Sequence, residues 1–510
     1  MQVPNGSESK QAMRRLADCL SYWAETTPGQ PAVSDERHAW SYRQLSQAVD
    51  AAAGFMREQG VRAGDRVLLV GENGATLAAL ILAAGRLDAW AVLENARCAA
   101  MEVDAVCAHA QPRLVIHVVD NSSAARDHAA RHGGAVVATS FGEVAPARHD
   151  PQSEPQPVHE DPALQVATMI YTTGSTGTPK GVMLSHANLL HIGALMRRQR
   201  HLTTADRVYG VLPITHVMGL SSGLIGTLSA GAHIRLVPRF SADACLQALR
   251  GDGITILQGA PAMFGRLLAA ASGAPPHTDL RFIAVGGAPL DPALKAQIEA
   301  VFGLPLHNGY GLTEASACCW TRLEDGAPDC SIGLPNPGME ARILDAQGEP
   351  VADGETGELW VRGPCVMLGY YRMPERTREV LRDDGWFNTQ DLARRGPDGR
   401  IHIEGRTKDL IIRSGFNVSP LEVETALNAC EGVRHSAVLG VMNGGNEEIV
   451  AIVEPAPGSQ PTEAALRSFL AARLAPYKQP GRIIFMQNLP TAPNGKVLKH
   501  QLKQQLGGTL

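Results

Sequence analysis

Apolar residues along the chain gather into short runs of strand length, separated by stretches whose apolar positions repeat at helical spacing. Arg66-Val-Leu-Leu-Val70 is an unbroken run of this kind, and Gly71-Glu-Asn-Gly leads from it into an apolar helix over 76–84. Before it, a strand at 32–34 precedes an amphipathic helix that opens at Ser41 and runs to Met56. Further strands at 89–93 and 113–118 continue the alternation, which predicts a mostly parallel, doubly wound α/β sheet. Residues 143–162, rich in Pro, His, Glu and Gln, read as a polar connector. Alternation resumes with strands at 208–212, 233–237, 255–258, 281–285 and 306–310, and with a long small-residue helix over 220–230. Three of these strands run into Gly259-Ala-Pro261, Gly286-Gly-Ala-Pro-Leu290 and Gly311-Leu-Thr-Glu314. Such breaks place polar groups at one sheet edge, where open α/β sheets bind ligands.

From about 330 the texture changes to short strands with Gly and Pro punctuation, at 341–344, 357–362 and 399–404, as in a small β-rich subdomain. Residues 409–510 return to a βα pattern, with strands at 433–441, 449–453 and 481–486 and a helix at 462–474, which marks a separate small lobe.

One stretch carries chemistry on its own. Ala167-Thr-Met-Ile-Tyr171 is a strand, and it breaks into Thr172, Thr173, Gly174, Ser175, Thr176, Gly177 and Thr178, then Pro179 and Lys180. Glycines expose backbone N–H groups and hydroxyls add donors, so such a loop suits polyphosphate oxygens. No Gly-Lys-Ser/Thr follows at Walker A spacing. Ser185 is placed to cap a helix beginning near His186.

Composition narrows the class. The 510 residues are 44% hydrophobic and 19% charged, as in an ordinary globular protein with two or more domains. A net charge of −5 leaves no electrostatic footprint for nucleic acid, and Met196-Arg-Arg-Gln-Arg200 reads as a solvated helix face. Nine cysteines without a C-x-x-C pair, no apolar signal segment and no run long enough to span a bilayer point to a reducing, cytoplasmic setting.

Taken in order, eight motifs resemble the adenylate-forming superfamily of acyl-CoA synthetases, adenylation domains and luciferases, nearly end to end. They are the loop 171–181; Leu212-Pro-Ile-Thr-His216; Gly286-Gly-Ala-Pro289; Tyr310-Gly-Leu-Thr-Glu314; Gly354-Glu-Thr-Gly-Glu-Leu359; Asp391-Leu392; Gly405-Arg-Thr-Lys-Asp409; and Pro493-Asn-Gly-Lys496. The resemblance implies an AMP-binding domain over 1–407, with the β-rich subdomain at about 330–404, and a mobile C-terminal lobe over 408–510 hinged at Lys408. It implies activation of a carboxylic acid by ATP, with Mg²⁺, and transfer of the acyl group to coenzyme A. The loop 172–178 with Lys180 would hold the β- and γ-phosphates. Gly287, Ala288, Pro289, Asn308, Gly309, Tyr310 and Gly311 resemble the adenine slot, Thr313 the α-phosphate contact and Glu314 the Mg²⁺ ligand. Asp391 and Arg406 resemble the ribose contacts. Lys496, by itself an ordinary loop lysine, matches the catalytic lysine of adenylation. Ser414, Gly415 and Phe416 fall on the segment that lines the pantetheine tunnel. His216, by itself a core histidine, falls with Met218, Gly219, Gly287, Gly309 and Gly311 on the acyl pocket.

No Arg or Lys occurs among those pocket positions, which favours a monocarboxylic fatty or aryl acid over a dicarboxylate. Gly309 reads as room for a fatty acyl chain or a larger aromatic one. Three departures from the family pattern stand out. Gln390 replaces the usual glycine beside Asp391, the loop reads Thr-Thr-Gly-Ser, and Ala91-Val-Leu-Glu-Asn95 lacks the usual proline. Glu358 and Asp398 read as turn and surface residues. Other readings are an adenylation enzyme loading a carrier protein in trans, a luciferase-like oxidase, and a non-catalytic nucleotide sensor, the last opposed by intact Glu314, Asp391 and Lys496. A homodimer is among the assemblies the resemblance allows.

Overall fold

The computed structural model describes residues 13–147, 150–173, 179–271, 278–323, 329–413, 416–443, 446–491 and 497–507. The chain forms two compact units, Met1–Arg239 with Pro364–Thr377, and Phe240–Gly363 with Arg378–Leu510.

In the first unit the strands Arg66–Gly71, Trp90–Asn95, Leu114–Val118 and Val166–Thr173 form the parallel centre of an eight-stranded sheet. Every residue of Arg66–Gly71 is buried, as an unbroken apolar run requires when both sheet faces are covered. The helix Ala75–Arg86 covers part of that sheet and is itself buried from Ala75 to Gly85. Pro179–Ser185 pairs antiparallel with Val166–Thr173, and Gly369–Tyr370 adds to its outer edge. The 143–162 connector needs correcting at its start. Gly142–Ala147 is a strand antiparallel to Leu114–Val118, and its half-exposed pattern hid it among polar neighbours. A second ladder joins Arg207–Gly210, His233–Leu236 and Pro31–Ser34 in parallel, with Ala39–Ser41 antiparallel beyond. The helix Tyr42–Glu58 begins where expected, at a Ser41–Gln44 capping box.

The expected helix over 220–230 is instead a π-helical stretch, Met218–Ile225, followed by one α-turn, Gly226–Ser229. The wider register leaves carbonyls to satisfy, and hydroxyls serve them: Ser221 Oγ donates to Val217 O at 2.7 Å and Thr227 Oγ1 to Gly223 O at 2.6 Å. Arg200 also departs from its expected solvated face. It is 1% exposed and donates through Nη1 to Ser222 O at 3.3 Å, and burial pulls its pKa down to about 9.

In the second unit Ile256–Gly259, Phe282–Gly286 and Leu306–Leu312 run parallel, so their glycine-rich ends share one edge as expected. Ser316–Trp320 returns antiparallel to Leu306–Leu312. The β-rich segment is a four-stranded antiparallel sheet, in the order Glu340–Leu344, Thr356–Arg362, Phe387–Arg395, Ile401–Arg406. The C-terminal strands Val433–Asn443, Asn446–Pro455 and Arg482–Phe485 form a three-stranded sheet with a core on each face. Ile449, Ala451 and Val453 face the helices Pro420–Asn428 and Glu463–Ala471, while Val450 and Ile452 face Leu502 and Leu506 of Lys499–Gly507. All nine cysteines are free thiols. Among the described residues no helix is long and apolar enough to cross a membrane.

The last helix therefore holds on mainly through two leucines. Leu502→Ala is expected to lower the stability of this sheet module by about 2–4 kcal/mol, seen as an earlier transition in a denaturant titration.

Candidate active site

Side chains alternate along Leu306–Leu312, so Asn308 and Tyr310 share one face and His307, Gly309 and Gly311 the other. Tyr310 donates its hydroxyl to Asp391 Oδ2 at 2.5 Å. Asp391 stands directly opposite Arg406 in the ladder, and Arg406 Nε reaches Asp391 Oδ1 at 2.8 Å. Sequence motifs some eighty residues apart thus meet around one carboxylate that is 3% exposed. Burial, followed by the charge of Asp391, pushes the Tyr310 phenol well above its ordinary pKa, so it stays a hydrogen-bond donor. Burial opposes the Arg406 charge, but Asp391, Tyr310 and Asp409 outweigh it and raise its pKa.

A bulge aims Asp391. Glu358 pairs with Leu392 and Trp360 with Asn388, which leaves Thr389, Gln390 and Asp391 against Leu359 alone. Thr389 Oγ1 donates to Leu359 O at 2.7 Å and accepts from Asp391 N at 3.1 Å, while Asn388 Oδ1 accepts from Gln390 N at 2.8 Å. Gln390 has φ of 59° and is exposed. A left-handed residue here explains why glycine is usual, and the exposed side chain is accommodated without burial beside Asp391. Glu358 is also not a turn residue. It lies within a strand and accepts from Asn388 Nδ2 and from Thr407 Oγ1, both at 2.9 Å.

The other assigned residues of this unit are arranged as follows. Gly287, with φ of 79°, and half-buried Ala288 lead into exposed Pro289 after Phe282–Gly286. Asn308 donates through Nδ2 to Cys330 O and Ser331 O, both at 3.1 Å, and so braces the backbone there. Thr313 and Glu314, both buried, form the turn between Leu306–Leu312 and Ser316–Trp320. Gly309 does not open the room expected of it. A Cβ added there would lie 2.0 Å from Cε3 of Trp320, and one at Gly311 would lie 1.7 Å from Ser316 O. Lys408 is exposed in the short 3₁₀ turn Thr407–Asp409, and Phe416 stacks on Tyr477 with ring centroids 4.6 Å apart. Ser414, Gly415 and Lys496 lie outside the described residues.

In the first unit Thr172 faces Lys180, and Thr173 faces Pro179, across a hairpin whose tip, Gly174, Ser175, Thr176, Gly177 and Thr178, lies outside the described residues. The loop therefore joins strand to strand, and the helix comes later, at His186–Gln199, where Ser185 Oγ accepts from Asn188 N at 3.1 Å. Lys180 Nζ donates to Tyr370 OH at 3.2 Å and lies 4.4 Å from that ring's centroid. Half-buried His216 donates its backbone N–H to Pro213 O at 3.0 Å just before the π-helical stretch that holds Met218 and Gly219. A Cβ at Gly219 would meet Pro213 O at 2.1 Å, so the turn into that stretch needs glycine. Glu94, in the motif lacking its proline, is buried enough to raise its pKa to about 7. Tyr370, Glu358 and Trp320 are contacts that motif reading missed. Only the cross-strand register reveals them.

Residues 20–371 match the family described as AMP-binding enzyme, and residues 422–496 match the AMP-binding enzyme C-terminal domain. A feruloyl-CoA synthase of an Amycolatopsis species is 34% identical over 95% of this chain and 97% of its own length. A sulfoacetate–CoA ligase of Cupriavidus necator is 34% identical over 98% of this chain and 99% of its own. The crystal structure of ATP-bound MatB from Rhodopseudomonas palustris is 30% identical and superposes with a TM-score of 0.85, covering 97% of this chain and 99% of that one.

Two substitutions probe the carboxylate cluster. Gln390→Gly relieves a left-handed side chain and is expected to raise stability by about 1 kcal/mol, seen as a higher Tm with the KM for ATP unchanged. A lower Tm would contradict the strain. Tyr310→Phe removes a hydrogen bond to a charged group, typically about 1.5–3 kcal/mol, so the KM for ATP should rise roughly 10- to 100-fold.

Proposed function

The chain belongs to the AMP-binding enzyme family, and from that membership we propose the roles that follow for its residues. The protein is an ATP-dependent, AMP-forming acid:CoA ligase. A carboxylate oxygen attacks the α-phosphorus of ATP and pyrophosphate leaves, giving an acyl-adenylate. The CoA thiol then attacks the acyl carbon, losing its proton, and AMP leaves. Charge changes mainly on phosphate oxygens, so positioning and fixed electrostatics dominate catalysis.

The Tyr310–Asp391–Arg406 cluster supports this assignment most directly, because a buried carboxylate held from two sides is a rigid acceptor for vicinal ribose hydroxyls. The adenine is assigned to 287–289 and 308–311. Thr172, Thr173, the loop 174–178 and Lys180 are assigned the β- and γ-phosphates, with Tyr370 restraining the Lys180 ammonium. Thr313 is assigned the α-phosphate. Glu314 fits Mg²⁺, because it is a buried hard-oxygen donor. One carboxylate completed by phosphate oxygens is a typical Mg²⁺ donor set, and the bound ion would neutralise phosphate charge.

Lys496 is assigned to adenylation, Lys408 to the hinge between 1–407 and 408–510, and Ser414, Gly415 and Phe416 to the thioester step. The acid is monocarboxylic, because neither Arg nor Lys occurs at 216, 218, 219, 287, 309 or 311 to meet a second charge. His216 borders it.

Pyrophosphate release with a panel of acids, and thioester formation from synthetic acyl-AMP, separate the two half-reactions. Lys496→Ala is expected to slow the first by about 10²–10³-fold and spare the second. Gly415→Leu should do the reverse. Equal loss of both steps in either variant overturns its assignment.

A further inference from the structure

The two faces of Leu306–Leu312 serve different neighbours. Asn308 and Tyr310 reach the backbone at 330–331 and Asp391. On the opposite face the His307 ring lies flat against Phe282 of the adjoining strand, with centroids 4.8 Å apart and planes 9° apart. Further along that face Gly309 pairs across the antiparallel ladder with Trp320. The six-membered ring of Trp320 occupies the place a side chain at 309 would take, with both Cε3 and Cζ3 2.0 Å from the Cβ position. Trp320 is 4% exposed, and the neighbouring Cys318 and Cys319 are fully buried. At Gly311 the carbonyl of Ser316 closes the corresponding direction. Glycine at 309 and tryptophan at 320 are therefore one complementary pair. The volume that one residue gives up, the other fills.

We propose that Trp320 is the specificity-determining residue for the acid, an indole wall that stops extended aliphatic chains and accepts flat aryl or arylalkenyl acids. The inference rests on the assignment of Gly309 to the acid side of the strand. Two physical effects favour planar acids there. An indole held by close packing cannot swing aside for a long chain without leaving a void over Gly309. Its ring also offers a planar, polarisable surface to an aromatic acid, which an aliphatic chain uses less well. Gly309 is shared with the adenine assignment, but the Trp320 ring lies on the face opposite Tyr310 and its bond to Asp391, so replacing it should change the acid profile far more than ATP binding.

The test measures pyrophosphate release with benzoate, cinnamate, hexanoate, decanoate and hexadecanoate for the wild type, Trp320→Phe, Trp320→Leu and Trp320→Ala. The wild type should prefer cinnamate over decanoate in kcat/KM. Trp320→Ala should shift that ratio toward decanoate by at least about tenfold, the scale of discrimination that a few methylene groups supply. Trp320→Leu, which keeps an apolar core but loses the plane, should shift it in the same direction, with Trp320→Phe between it and the wild type. The KM for ATP should stay within about threefold in all, as expected of a residue that does not touch the nucleotide. If Trp320→Ala fails to fold, the Leu and Phe variants carry the comparison. A wild type that prefers hexadecanoate, or folded variants with an unchanged acid profile, overturns the assignment of Trp320 alone. No pyrophosphate release with any acid, in any variant, instead counts against the ligase roles on which it rests.

Discussion

A carboxylate that has left water must be compensated where it stands, and in the second unit much of the local architecture answers to Asp391. Left unpaired at 3% exposure, it would carry a penalty of several kcal/mol. Arg406 meets it because the two residues are cross-strand neighbours, and Tyr310 meets it from a different sheet. The bulge in Phe387–Arg395 turns the backbone by setting three residues against one, and it holds only because Thr389 and Asn388 take over hydrogen bonds that the ladder gives up. Glu358 then ties the bulge to Thr407, where the sheet ends. Precise placement of one acceptor thus draws on two sheets, one strained residue and a second carboxylate.

What was legible in the sequence follows the same physics. Strands such as Arg66–Gly71 announce themselves because burial on both faces demands an unbroken apolar run. Gly142–Ala147 did not, since a short antiparallel strand with half its residues only partly buried has the composition of a connector. The π-helical register of Met218–Ile225 leaves no compositional trace, because small apolar residues suit either helix. Arg200 looks like its exposed neighbours Arg197 and Arg198 until the chain is folded.

At the site, motifs named the residues but not their surroundings. Asp391, Arg406 and Tyr310 could be picked out, and their meeting could not be measured. Gln390 read only as a departure from the usual glycine, because a residue's type says nothing about which way a left-handed bulge points it. Gly309 read as empty space for the complementary reason. Absence of a side chain implies room only if no neighbour has claimed it, and the claimant, Trp320, belongs to the following strand.

The stretch Pro364–Thr377 has a bearing on how the protein is made. It lies between segments of the second unit, yet Gly369–Tyr370 pairs with Val182 and Met183, and the carbonyls of Pro364 and Val366 accept from Asn188 Nδ2. A chain emerging from the ribosome must expose the edge of Pro179–Ser185 until those distant residues are synthesised. Unpaired edges of that kind invite wrong partners. The first unit is consequently not an excisable fragment. Cut after Arg239, it would present a bare strand and an unmet asparagine amide.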